Sequence, residues 1–487
     1  MSGREQASVQ ALTPAQAEWF TPQEWRAACE RQAQAGARFC ALFASNGAQG
    51  PHVSCIFTQA GHDHVLRAPV PSGAIDTLVD LFAAAGWDER EAHDSHGLRF
   101  NGHEPLRPLL EHPVEPDAWT VPVQGHDAYQ VAVGPIHAGV IESGHFRFTV
   151  VGERILHLDL RMFYKHRGLQ LAAEGRALAD GLAYAQRACA ACAVTNTVAY
   201  AQACESALGL APDRNLRRAR TLLLELERLY NHLNDISAIC AGVGFAPGSM
   251  AFAALKERAQ RLNLRLCGHR FLFGSVALAA SALRIAEADA RIARAELEAL
   301  HDDHRSLWRE LRFAGSVQDR LGDVGQLTKH DAMRLGAVGP AARAAGVAQD
   351  TRGESPRLFY GELDRELAPA TPERAAGDVA ARLDMRGLEL AQSFAILEEL
   401  LSEELAPGGV HSVRSAASKL GVARVESPRG ETVCAVQTDG NTIARLHLRT
   451  GSYANWPALA HACRESLLPD FPLINKSFEL CYACTDR

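Results

Sequence analysis

The sequence predicts an α+β N-terminal module followed by a mainly α-helical bundle domain with small β elements. Three observations predict it. Residues 1–118 alternate amphipathic helical stretches with short strand-like runs separated by Gly and Asn. Residues from Ala172 to about Arg312 form long Ala- and Leu-rich stretches with few helix breakers. Alternating, turn-bounded runs recur after Gly134 and after Val425. At 487 residues the chain exceeds one ordinary core, so two or three domains are expected.

In order, the periodicity predicts a helix over 14–35 and strands at Phe39-Cys-Ala-Leu-Phe43 and His64-Val-Leu-Arg-Ala68, then a second helix over 74–85. Gly86-Trp87 leads into an acidic, His-rich run, 88–103, which reads as a solvated polar loop. The proline-containing stretch 112–122 is the candidate linker, which divides the chain into domains 1–118 and 119–487. A hairpin follows with Gly152-Glu153 near its turn, and Arg167-Gly168 leads into a helix.

Helices are then expected over 216–240, with Asn231, His232 and Asn234 embedded, and over 251–294, interrupted near Gly268. The charges Arg217, Glu225 and Glu227 read as solvated or ion-paired helix faces. Residues 313–377 read as loops and short helices, and Asp319-Arg-Leu-Gly-Asp-Val-Gly325 lacks the spacing of a phosphate loop. A helix over 378–404, a turn at Pro407-Gly-Gly409 and a strand pair around Asp439-Gly440 complete the reading.

The net charge of −7 gives no footprint for nucleic acid, and no basic run or aromatic-basic stripe stands out. No stretch of 18 apolar residues occurs; 271–283 is short, bounded by Arg270 and Arg284, and reads as a buried helix. The first residues carry neither an apolar signal core nor twin arginines, which points to the cytoplasm. In that reducing compartment the twelve cysteines divide in two. Eight are solitary and read as small buried hydrophobes. The other four form two pairs, Cys189-Ala-Ala-Cys192 and Cys481-Tyr-Ala-Cys484, at opposite ends of the second domain. Spacing alone leaves two readings open: a metal site in the bundle core, or unliganded or zinc-bound thiols.

The flanking motifs carry a family resemblance. Glu89-Arg-Glu91, Gly102-His103 and Leu106-Arg107 resemble the end of the 30 kDa-type subunit of respiratory complex I. Residues 134–487 carry Gly134-Pro-x-His137, Glu142-Ser-Gly-His-Phe-Arg147, His166-Arg-Gly168, Arg187-x-Cys-x-x-Cys192, Glu426-Ser-Pro-Arg-Gly430 and Cys481-Tyr-Ala-Cys-Thr-Asp-Arg487. They resemble the large subunit of nickel-iron hydrogenases, on the energy-converting branch that includes formate hydrogenlyase and hydrogenase-4. That branch is related to the 49 kDa-type subunit of complex I, whose members proper lack the four thiols.

The resemblance implies a nickel-iron centre, with Cys189 and Cys481 terminal on nickel and Cys192 and Cys484 bridging to an iron that bears diatomic ligands. It implies that Arg429 polarises hydrogen over the open site and that Glu142 relays the proton. Its implied partners are an iron-sulfur small subunit and membrane-embedded proton-pump-like subunits, with this chain peripheral on the inner face of the cytoplasmic membrane.

Four features depart from the family pattern. Asn196 stands where a His is usual, Gln170 where a carboxylate serves a second site for magnesium or iron, and Glu479-Leu480 where Asp-Pro is usual. The family's tail, removed by a protease after metal insertion, is not in this sequence, which stops at Arg487. These departures motivate a second reading: a metal-free complex I-like subunit of the NADH-quinone oxidoreductase type, acting as a structural and redox-coupling scaffold. A zinc-bound scaffold is the third.

Overall fold

The computed structural model describes residues 17–487 except 48–49, 124, 139–140, 356 and 413–418. In the head, His62–Pro69 pairs in parallel with Ala17–Trp19 and antiparallel with Gly50–Gln59, which pairs with Arg38–Gly47. The first helix is Pro22–Gln34. Thr21 stops it from starting earlier, because its side chain and that of Glu24 exchange hydrogen bonds with each other's backbone N–H. Of the helix expected over 14–35, residues 17–19 are edge strand, and 14–16 lie outside the described residues.

Two head expectations are overturned. Residues 74–85 form a short strand, Ala74–Asp76, paired with Arg99–Asn101, and a single 3-10 turn, Ala83–Ala85. Of the supposed polar loop over 88–103, residues 88–96 belong to the helix Gly86–His96, with Asp88 and Glu89 fully buried, and 99–101 are strand. The two corrections share a cause. Glu89 accepts from the Leu78 N–H and the Thr77 hydroxyl, both at 2.6 Å, so donors of the upstream segment are satisfied from the downstream helix.

One face of the head sheet buries Trp25, Phe39, Phe57 and Leu66 in the head's own core. The other packs Cys40, Phe43, Ile56 and Val65 onto Leu420, Val433 and Ala435 of a second sheet, Leu420–Ser427, Gly430–Asp439 and Thr442–Arg449. Ion pairs cross that contact: Arg38–Glu431 at 2.7 Å, Arg424–Asp63 at 2.6 Å and Arg449–Asp88 at 3.1 Å.

Behind this sheet lies Ala193–Ala207, a helix buried along its whole length, and next to it the 29-residue helix Arg214–Gly242. The latter starts where Asp213 accepts from the Leu216 N–H at 2.8 Å. Ala246–Cys267, Glu287–Phe313 and Val379–Leu400 complete the bundle, and a third sheet, Ala128–Val133, His145–Val151 and Arg154–Arg161, packs beside the C-terminal helices. The break near Gly268 is a left-handed cap, and the helix read over 271–283 is absent. Leu272, Gly274 and Ala279 there have positive φ, which an α-helix does not tolerate. Of the eight solitary cysteines, seven are buried and Cys267 is half-buried.

Candidate metal centre

Cys189 and Cys192 lie in the turn between the helix Gly181–Arg187 and the buried helix Ala193–Ala207, with Cys192 at the N-cap. A helix start leaves backbone donors exposed, and here the long helix supplies the acceptor. Glu227 accepts from Val194 N (2.7 Å), Thr195 N (3.0 Å) and Thr195 Oγ1 (2.5 Å). One helical turn further on, Asn231 Nδ2 donates to the Ala191 carbonyl at 2.8 Å, as does the Tyr230 hydroxyl at 3.3 Å. Burial pushes the Glu227 carboxyl up to about 7 despite these bonds. Glu225, by contrast, is held below the ordinary carboxylate value: burial opposes this, but Arg228 and Arg352 outweigh it. Neither glutamate lies on a solvated face.

Cys481 caps the short helix Tyr482–Asp486, its sulfur accepting from Cys484 N at 3.2 Å. Three other segments hold this turn. Ser452 Oγ accepts from Cys481 N (2.9 Å), Glu142 from Ala483 N (2.9 Å), and Asp486 from Phe163 N (2.7 Å) and Lys165 N (2.8 Å). Thr450 Oγ1 donates to the Cys484 carbonyl at 3.2 Å. The His166-Arg-Gly168 turn ties the two pairs together. Arg167 donates through its guanidinium to the Arg187 and Ala188 carbonyls and through its backbone N–H to the Arg487 carbonyl.

The two thiol pairs therefore meet. Cys189 Sγ and Cys481 Sγ are 2.9 Å apart, and Cys192 lies near enough to Cys189 and Cys484 to shift its protonation. Two sulfurs on one metal at about 2.3 Å stand at most about 4.6 Å apart. The sulfurs of Cys189, Cys481 and Cys484 all lie within 4.8 Å of one another, close to that span, whereas Cys192 is not part of this group. Without a metal they share protons. Hydrogen bonds from Cys192, Cys481 and Cys484 hold Cys189 well below the ordinary thiol value, and the Cys189 thiolate pushes those three well above it. An all-sulfur donor set suits a soft, thiophilic metal, and zinc and a nickel-iron pair both meet that requirement.

Cys481 also borders a cavity of about 260 Å³, whose wall includes Glu142, Asn231, Lys256, Arg429 and Glu479. Arg429 sits at the tip of a two-residue hairpin turn, since Ser427 pairs with Gly430. Three chain segments cross there: a Cβ on Gly339, Gly430 or Gly451 would come within 2.3–2.7 Å of a neighbour. Asn455 fastens the crossing by donating to the Arg429 and Val338 carbonyls at 2.9 and 3.1 Å.

The Arg429 guanidinium is aimed by Asp235 (2.5 Å) and Asn231 (3.3 Å). Burial pulls its pKa down, but Asp235, Cys192 and Glu479 outweigh burial and hold it above the ordinary value. Burial likewise opposes the ionised Asp235, yet Arg429, His232 and Arg386 keep that carboxyl down to about 2. Glu479 is pushed up by burial and by the Asp235 charge.

Cys189, Cys192, Cys481, Cys484, Arg429 and Glu142 are thus gathered in one place. Glu227, Tyr230, Asn231 and Asp235 were not anticipated as a supporting set. Residues 227, 231 and 235 recur every four residues and so share one side of the helix, but Arg217, Arg218, Arg220, Glu225 and Arg228 lie on the same helix, so the spacing does not single them out. Asn196 Nδ2 points at Cys484 Sγ from 3.9 Å, while its Oδ1 has no partner among the described residues. A second cation beside the centre does not fit. Gln170 is neutral, and in the amide orientation that satisfies both ends it accepts from Arg487 Nη1 (2.8 Å) and donates to the Leu446 carbonyl (3.0 Å).

Comparison with known proteins agrees with the fold. The respiratory-chain NADH dehydrogenase 49 kDa subunit family matches residues 243–420 and 410–487, and the 30 kDa subunit family matches 19–126. Formate hydrogenlyase subunit 5 of Escherichia coli K12 is 30% identical over 83% of this chain and 75% of its own length. Hydrogenase-4 component G of the same organism is 32% identical over 83% and 74%. A chain of the membrane-bound sulfane sulfur reductase, an archaeal respiratory membrane complex, superposes with a TM-score of 0.67 at 27% identity, covering 74% of this chain and 99% of that one.

Proposed function

Because this chain belongs to the family that fuses the 30 kDa and 49 kDa subunits of respiratory-chain NADH dehydrogenase and includes the formate hydrogenlyase and hydrogenase-4 relatives, we propose that it is the catalytic large subunit of a membrane-associated nickel-iron hydrogenase-type complex. In this reading residues 1–118 are the 30 kDa-like head and 119–487 carry the centre. Cys189, Cys192, Cys481 and Cys484 hold nickel and an iron with diatomic ligands, which supplies the two-electron chemistry of 2H⁺ + 2e⁻ ⇌ H₂. The observation that carries the reading is that the thiol cluster is not closed. Cys481 faces a cavity it shares with the guanidinium of Arg429 and the carboxylate of Glu142, whereas a structural zinc needs no such opening.

Arg429, held by Asp235 and Asn231, keeps a fixed positive charge at the cavity wall. Glu142 takes and returns the proton between the cavity and solvent. Electrons come from an iron-sulfur partner, because the remaining cysteines are scattered single residues. No helix among the described residues is long and apolar enough to cross a membrane, so in this proposal membrane-embedded subunits hold the chain at the inner face of the cytoplasmic membrane.

Metal analysis and infrared spectroscopy of the purified complex test the proposal. About one nickel and one iron per chain, with bands from iron-bound diatomic ligands, are expected; intact complex without nickel sinks it. The Asn196 and Gln170 positions favour one competing reading, a metal-free complex I-like scaffold, and stoichiometric zinc without those bands would indicate the zinc-bound form instead.

A further inference from the structure

The Asp88-Glu-Arg-Glu91 run belongs to the head and touches no thiol, yet its carboxylates are anchored in three different places. Asp88 accepts from Leu42 N (3.0 Å) and pairs with Arg449 Nε (3.1 Å). Glu89 stays within the head, on Thr77, Leu78 and His103. Glu91 leaves the head: its Oε2 accepts from Arg487 Nη2 at 2.7 Å, three residues past Cys484.

The Arg487 guanidinium is almost wholly enclosed, at 1% exposure. It donates through Nη1 to the Leu448 carbonyl and through Nε to the Thr485 carbonyl (3.2 Å), and it lies 4.7 Å from the centre of the Tyr453 ring. On the remaining side stands Gln170, in the position where the second cation does not fit. A buried guanidinium needs a counter-charge. Among the described residues its ion-pair partner is Glu91, whose carboxyl is held down to about 2: burial opposes ionisation, but Arg487 and His447 outweigh it.

We infer that the Arg487 guanidinium replaces a second metal cation beside the thiol centre, and that Glu91 is a positioning residue through which the head sets the place of the Cys481–Cys484 turn. The inference rests on reading the four thiols as a metal centre. Its logic is that of any buried pair: removing one partner leaves the other charged and uncompensated. The shortest escape for Arg487 is outward, and it takes the thiol turn with it.

The test is hydrogen exchange by mass spectrometry on the purified complex. In Glu91→Gln the amides of 481–487 are expected to exchange about tenfold faster, while those of Ala193–Ala207 and of the head helix Pro22–Gln34 stay unchanged. Glu91→Asp, which keeps the charge, should stay within about twofold of wild type. In the metal-loaded complex the infrared bands should shift in Glu91→Gln and not in Glu91→Asp. Unchanged exchange at 481–487, or a rise spread evenly over all three segments, overturns the positioning role. Stoichiometric magnesium, or a second non-nickel-bound iron, in the wild-type complex overturns the cation replacement. Wild-type complex lacking the bands counts against the metal-centre reading alone, because the exchange comparison decides the clamp with or without metal.

Discussion

Cys189 and Cys192 are fixed mainly from inside the helical bundle, by Glu227, Tyr230 and Asn231 of a single long helix, with Arg167 added at the Ala188 carbonyl. Cys481 and Cys484 are fixed from several places at once: Glu142, Ser452, Thr450, Asp486 and, through Arg487, the head. The first pair therefore inherits the rigidity of one helix face. The second depends on how separate parts of the chain dock. A site assembled in this way is complete only when the head, the hairpin that carries Arg429 and the bundle are all in place, which couples folding of the whole chain to the geometry of the centre.

The largest effect should come from removing a sulfur of the second pair. Cys484→Ala is expected to abolish hydrogen–deuterium exchange activity and to strip metal from the complex, as read by metal analysis; retained activity would show that Cys484 is no ligand. Arg429→Lys comes next. Lysine keeps the charge but cannot reach Asp235 and Asn231 together, so turnover should fall about 10²–10³-fold. Metal content should not change, because Arg429 contacts neither thiol turn through a hydrogen bond. Loss of metal in this variant would mean the arginine props the cluster itself.

Glu227 separates the two halves by pH. Its carboxyl rises from 4.5 to about 7 on folding, chiefly through burial. An acid shifted upward stabilises the fold while it is protonated, and that contribution fades as pH climbs from about 4.5 to about 7. The effect is at most ~3 kcal/mol, confined to the first pair. Exchange protection of the Ala193–Ala207 amides in wild type relative to Glu227→Gln should therefore decline across that window, with 481–487 unaffected. A pH-independent ratio would remove Glu227 as the titrating cap.

Much of this was legible in the sequence, and the limits have physical causes. The four thiols announced themselves, because two C-x-x-C pairs in one domain point to a shared metal. The helix Arg214–Gly242 was legible from its apolar period. Polarity misled wherever charge is buried in pairs: Asp88 and Glu89 look like loop residues until Arg449, Leu78 and Thr77 are seen to satisfy them. Apolar content misled over 271–283, where left-handed residues break the helix that composition suggests. The cooperation of Glu227, Asn231 and Asp235 could not be read, since their partners lie at residues 191–195 and 429, brought near only by the fold.

The smallest effect bears most directly on the comparison, because Asn196 crosses it. The residue sits on the helix of the first pair and its amide nitrogen points at the Cys484 sulfur of the second, from 3.9 Å. That contact is long, and the amide oxygen is buried with no partner among the described residues, so the side chain contributes little to stability. What it can alter is the electron density of one sulfur. Asn196→Ala should leave metal content and melting temperature unchanged, while turnover drops by about tenfold, at the low end of effects from residues that orient ligands. Infrared band positions should move with it. If metal is lost as in Cys484→Ala, then the two thiol pairs lean on each other through this amide, and the division between a preformed half and a docked half does not hold.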